Sequence, residues 1–139
     1  MGARRKAREL ALQMLFQYDM SGNVPGTIVL TFEDLHKVTP SVRDFAVKLF
    51  EGTIHESTRI DEMIVAQADN WRLSRMAVVD RNIIRMSIYE FLHESDTPKL
   101  VIIDEAIEIA KKFGTQKSSQ FINGILDGVL KRYNLQQTN

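Results

Sequence analysis

The sequence predicts an all-α fold of six or seven helices, and three observations carry that expectation. Apolar residues recur every three or four positions through most of the 139 residues, the period of a helix with one buried face. The 3 prolines, at 25, 40 and 98, and most of the 7 glycines fall between these stretches, where helices start and stop. No convincing strand pair or strand–helix–strand unit appears, which argues against dinucleotide-binding enzymes of Rossmann type.

The first helix is expected from about Ala3 to Met20, with Ala7, Leu10, Ala11, Met14, Leu15 and Tyr18 on one stripe. Ser21-Gly22-Asn23 and Pro25-Gly26 stop it. Between Thr27 and Lys37 a short segment follows, whose Ile28-Val29-Leu30 reads equally as a strand. Thr39-Pro40 has the form of an N-cap with proline at the first helical position. Val42, Phe45, Ala46, Leu49, Phe50 and Ile54 then trace a helix. Another runs from about Ser57 to Asp69, with Trp71 in the connection after it. Ser74 to Leu92 is the longest apolar stretch and is apolar nearly all round, as a helix buried on several sides is. Asp96-Thr97-Pro98 breaks it. Leu100 to Phe113 is amphipathic, with Glu108 and Lys112 one turn apart and Gly114 as a C′ glycine. Ser118 to about Tyr133 forms the last helix, and Leu135 begins a polar tail.

Lys+Arg and Asp+Glu both number 18, so the net charge is zero, which argues against nucleic acid as a partner. The layout is uneven. Residues 1–8 carry +4, residues 9–110 carry −8 and residues 111–139 carry +4. Two basic ends and an acidic middle imply separate surfaces for separate partners. The chain has no cysteine, so disulfides and thiolate-bound metal are excluded. No run approaches the 18 apolar residues of a membrane span, and Arg8, Glu9, Gln13 and Gln17 interrupt what a signal peptide would keep apolar. A cytoplasmic protein is expected.

Catalysis finds little support. His36, His55 and His93 lie on separate segments without metal-ligand spacing, and no phosphate-loop, dinucleotide or nucleophile-elbow motif is present. No carboxylate sits in an apolar setting that marks a general acid. Asp80, the most enclosed, is expected to pair with Arg81 and Arg85. No enzyme, cofactor or metal is expected.

Arg4-Arg5-Lys6-Ala7-Arg8 is the sharpest local signal. It reads either as a solvated helix end or as an arm whose guanidiniums contact phosphates. Cations there oppose the helix dipole, which favours the arm. Leu12 and Phe16 form a second apolar edge, available for internal packing, a partner or a second copy. Residues 111–121 combine Lys111, Lys112 and Lys117 with Ser118, Ser119, Phe113 and Phe121 around a turn. Single-stranded RNA is recognised by such mixtures. A helix corner with core phenylalanines and Ser118 as N-cap is the plainer account. Gly124 and Gly128 imply close helix packing.

Three ordered motifs extend across nearly the whole chain: Arg4-Arg5-Lys6-Ala7-Arg8-Glu9 with Ala11 to Phe16, Asp80 to Arg85 with Tyr89-Glu90, and Ile103 to Gly114 with Phe121 to Asp127. In these the sequence resembles the NusB family of bacterial transcription antitermination factors. The resemblance implies two small helical bundles packed across one another in one domain, residues 1–139. It implies binding of single-stranded boxA RNA together with the ribosomal protein NusE, within an antitermination complex on RNA polymerase during ribosomal RNA synthesis. By position, it assigns RNA contact to Arg4, Arg5, Lys6, Arg8, Phe113, Lys117, Ser118, Ser119 and Phe121, and NusE contact to Phe16, Tyr18 and Asp80. Lys117 departs from the pattern, since some members are acidic there. Related domains fused to RNA methyltransferases exist, and a chain ending at 139 is expected to lack that activity. The oligomeric state stays open, a homodimer included.

Overall fold

A computed structural model describes residues 2–68 and 72–135, so Met1, Asp69, Trp71 and the tail beyond Leu135 lie outside the described residues. Seven α-helices occur among them: α1 Gly2–Ser21, α2 Pro25–Thr31, α3 Pro40–His55, α4 Ser57–Gln67, α5 Val78–His93, α6 Lys99–Phe113 and α7 Ser118–Arg132. Short 3-10 turns occupy Glu33–Lys37 and Leu73–Arg75. The all-α expectation holds. Helices α1, α2 and α3 form one bundle and α4 to α7 a second, with α5 packing on members of both.

Local chemistry explains most boundaries. Gly22 follows α1 at φ 73°, a left-handed position that glycine occupies without strain. Ile28-Val29-Leu30, readable as a strand, is helical, because Pro25 starts a turn and Ile28 is buried against the core. The Thr39 hydroxyl accepts from Val42 N at 3.5 Å, and Pro40 opens α3, as expected. Helix α5 starts at Val78 rather than Ser74, since Met76 and Ala77 are extended, and Asp80 then falls in its first turn. The chain after α7 closes a Schellman motif. Asn134 takes φ 57°, its N–H bonds to Lys131 O, and Leu135 N bonds to Leu130 O at 2.8 Å. Leu135 therefore packs on the core instead of opening a polar tail.

Helix α5 is the shared element. Ile83, Ile84, Met86, Ile88 and Phe91 are buried, and so are the polar Asn82, Ser87 and Glu90. Its Arg81 and Arg85 do not pair with Asp80. Both reach Asp19 at 3.1 Å, and Arg85 also holds Asp61 at 2.8 and 3.0 Å. Burial alone would raise the Asp19 carboxyl, but the Asn82 hydrogen bond and the two arginines hold it below the usual range. This network fixes the end of α1 to the start of α5 and to α4.

Two glycine expectations change. Gly114 is not left-handed, at φ −97°. A Cβ there would lie 2.5 Å from Ser118 Oγ, so close approach demands glycine. Gly128 accommodates the Gln67 side chain of α4, whereas Gly124 faces open space.

Candidate nucleic-acid interface

Helices α1 and α6 run side by side in the same direction, because Arg5 meets Glu105 and Glu9 meets Lys112. Arg5, Glu9, Leu12, Gln13 and Phe16 recur at helical spacing along this seam. Both basic segments of the sequence thereby border one seam.

The four cations of α1 meet four different fates. Arg8 is 4% exposed, and its Nε and Nη2 form a bidentate pair with Glu90 at 2.8 Å each. Its Nη1 lies 3.8 Å from Glu105. Burial alone would lower the Arg8 pKa, but Glu90 and then Glu105 raise it. Arg5 forms a second bidentate pair with Glu105, at 2.8 Å for both bonds, and holds that carboxyl below the usual glutamate range. Arg4 stacks 3.8 Å above the Phe45 ring and reaches Glu94 at 3.9 Å. Lys48 shares Glu94, at 2.5 Å. Lys6 is exposed without an ion pair and lies on the same face as Gln13, two turns on. The dipole conflict expected at this helix end is thus relieved internally, by Glu90, Glu94 and Glu105.

Arg8 is therefore a correction: it carries no exposed guanidinium. Glu90 and Glu105 are another, since both are buried carboxylates in helices that are otherwise apolar on that side. Arginine clamps account for both. The signal was present in Ile88-Tyr89-Glu90-Phe91, an acid inside an apolar run, but its partner lies 82 positions away.

The corner between α6 and α7 is built differently. Lys111 pairs with Glu108 at 3.3 Å, so Lys112 is free to reach Glu9 across the seam at 3.0 Å. Lys112 Nζ also lies 5.3 Å from the Phe113 ring. Ser118 is the first residue of α7 rather than its N-cap, and Lys117 holds the cap position without a side-chain bond. Ser118 is 1% exposed; its hydroxyl donates to Asp80 Oδ1 at 2.6 Å and accepts from Thr115 N at 2.9 Å. Phe113 and Phe121 are half-buried against the core, while Lys117 is exposed. Ser119 is half-buried on the first turn of α7.

The residues assigned to a protein partner do not share one face. Phe16 is 41% exposed beside a cavity of about 250 Å³ with Leu12, Gln13, Val79 and Phe113. Tyr18 points the other way and meets Phe50 edge-on at 6.4 Å. Asp80 is 9% exposed and belongs to the α7 corner.

The family model described as the NusB family matches residues 5–131. The chain belongs to the NusB family. Transcription antitermination protein NusB of Koribacter versatilis is 47% identical over 131 residues, spanning 94% of this chain and 90% of the relative. That of Geobacter sulfurreducens is 47% identical over 130 residues, spanning 93% and 94%. Among solved structures, NusB of T. maritima superposes with a TM-score of 0.83 at 36% identity, covering 92% of this chain and 90% of that one. A structure of antitermination factors NusB and NusE in complex with dsRNA superposes with a TM-score of 0.86, covering 96% and 99%. At 23% identity it shows the fold.

Within this NusB-family fold, His93 contacts Glu56 at 2.7 Å and packs on Tyr89, and no group of three metal-ligating side chains occurs among the described residues. No helix among them is long and apolar enough to cross a membrane.

Proposed function

We propose that the chain is a cytoplasmic transcription antitermination factor that binds single-stranded boxA RNA together with the ribosomal protein NusE. It acts within the antitermination complex on RNA polymerase. The observation that supports this is the shared seam: α1 and α6 lie side by side, so the two basic ends of a neutral chain border the same surface. Lys6 and Lys112 are exposed on the two helices of that seam with Phe113 beside Lys112, and Lys117 is exposed at the corner that follows α6. Lysines supply phosphate attraction through counterion release, and aromatic faces stack on bases. Arg5 and Arg4 contribute guanidinium edges not taken by their carboxylates. Arg8 and Ser118 act from beneath, by holding α1 and the α7 corner in place.

NusE docks on the side of Phe16, where an exposed ring borders the 250 Å³ cavity. A ring left partly open beside apolar space is the anchor a protein partner seeks. The same ring is the homodimer contact of a competing reading. Titration of labelled boxA-like RNA with the chain, alone and with NusE, tests the proposal. Binding that strengthens with NusE and weakens with salt supports it, and salt-insensitive or absent binding under both conditions refutes it. Sedimentation of Phe16→Ala separates the readings. Loss of NusE binding by a monomer supports docking, whereas conversion of a dimer to monomers assigns the edge to self-association.

A further inference from the structure

The three paired arginines of α1 differ in what each would leave behind. Arg5 and Arg8 clamp Glu105 and Glu90, and both carboxylates are 1% exposed. Withdrawing either guanidinium strands a buried charge, which is strongly destabilising. Arg5 and Arg8 are therefore fixed parts of the fold.

Arg4 is held otherwise. Its guanidinium lies 3.8 Å above the Phe45 ring, and its Nη1 stays 3.9 Å from Glu94 Oε1. The other oxygen of Glu94 holds Lys48 of α3 at 2.5 Å. Glu94 raises the Lys48 pKa, first through that hydrogen bond, while the Arg4 charge works against it. Two cations thus share one carboxylate, and Lys48 has the closer contact. When Arg4 departs, Glu94 stays paired. The Arg4 side chain is exposed, so it can turn without displacing the core. What holds it is chiefly the face of Phe45, a ring that is itself buried in the core.

We propose that Arg4 is a latch: in the free chain its guanidinium is parked on Phe45, and in the RNA complex it turns to a phosphate while Lys48 keeps Glu94 paired. The inference rests on the RNA-binding reading above and adds a conformational step to it. A phosphate offers the guanidinium fork two charged acceptors, a stronger partner than a ring face. The parked state lowers the affinity of the free chain, because the contact with Phe45 is given up first. Arg5 and Arg8 hold α1 still while Arg4 turns.

The test uses the full chain and the labelled boxA-like RNA, with and without NusE. Phe45 is replaced by pentafluorophenylalanine, which keeps the outline of the ring and removes the negative face that attracts a cation. RNA binding should tighten about fivefold, the factor to which one cation–π contact converts. In an Arg4→Ala background the same replacement should change nothing. Arg8 lies 5.8 Å from the same ring but stays locked to Glu90, so fluorination alters its contact equally with and without RNA. Lys48→Ala makes Arg4 the sole cation on Glu94 and should weaken binding, again only while Arg4 is present. Circular dichroism and thermal melting monitor the fold of each variant. NMR of the unaltered chain needs no variant: the Arg4 side-chain protons, shielded by the Phe45 ring, should move to ordinary shifts when RNA is added.

Unchanged affinity on fluorination overturns the proposal, because the ring then holds nothing back. Weaker binding also overturns it, by making Phe45 the platform that aims Arg4 at RNA. An effect of fluorination or of Lys48→Ala that survives Arg4→Ala overturns it by assigning the change to the core or to Lys48 as a contact. Arg4 protons that stay shielded in the complex overturn the latch and leave the RNA-binding reading intact. Release by NusE without RNA makes the acceptor a protein carboxylate and overturns it as well. Absence of all RNA binding overturns the broader reading together with the latch.

Discussion

The first turns of α1 and the corner between α6 and α7 are both basic, and the fold treats them in opposite ways. In α1, three of four cations are turned onto carboxylates, Glu90 of α5, Glu105 of α6 and Glu94 just after α5, and the helix end becomes a structural joint. At the corner, a buried serine holds the loop from inside, and Lys117 stands in solvent. Local charge is therefore a poor measure of available charge. What decides is whether the tertiary structure places an acid within reach.

That contrast breaks most visibly at the Arg8–Glu90 pair. Glu90→Ala leaves a buried guanidinium without its bidentate partner and is expected to lower stability by about 3–5 kcal/mol in urea unfolding. A loss under about 1 kcal/mol would mean that α1 does not depend on the clamp. The apolar double replacement Arg8→Met with Glu90→Leu should recover most of the loss, because it removes both charges together.

At the corner the corresponding change is smaller. Ser118→Ala strands the Asp80 carboxylate and Thr115 N–H, at about 1–3 kcal/mol, and should loosen the loop that carries Lys117. Amide hydrogen exchange at Thr115 reads this directly, and unchanged protection there would show that the loop is held by other contacts. Gly114→Ala should give a similar phenotype, since its Cβ would displace the same hydroxyl.

Acid titration sharpens the distinction further. Glu105 is held below its ordinary value near 4.5 by the Arg5 hydrogen bonds, and Asp19 below 3.8 by its own network. A depressed carboxylate stabilises the fold fully above its unfolded pKa and less as pH falls through the folded one. Stability should therefore decline progressively below about pH 4.5, and Glu105→Gln should make that decline shallower. A slope identical to that of the unaltered chain would refute the assignment.

The smallest effects on stability fall on the exposed lysines. Lys6→Ala and Lys117→Ala should each change stability by less than about 0.5 kcal/mol. Each should nonetheless reduce the salt slope of RNA binding by about 1. A variant with normal stability and normal slope removes that lysine from the interface.

Helix α3 was legible in full from the sequence, because Thr39 and Pro40 begin it and its apolar period is regular. The NusB-family resemblance was legible as well, in motifs that run from Arg4 to Asp127. Boundaries that depend on tertiary contact were less so, as at Ser74 to Val78, where Met76 is buried in the core on extended backbone and the apolar run continues without a helix. The candidate site was legible as composition but not as geometry. Nothing near Arg8 announces Glu90, and nothing near Ser118 announces Asp80. Phe16 and Tyr18, two positions apart, look interchangeable until helical rotation sends one to the α6 seam and the other to Phe50.

By itself the sequence determined the helical class, the order of the helices and the cancellation of two basic ends against an acidic middle. These follow from period, caps and charge counts, which are local. The tertiary structure alone decided which cations remain available, because an ion pair forms between residues that the chain separates and the fold brings within 3 Å.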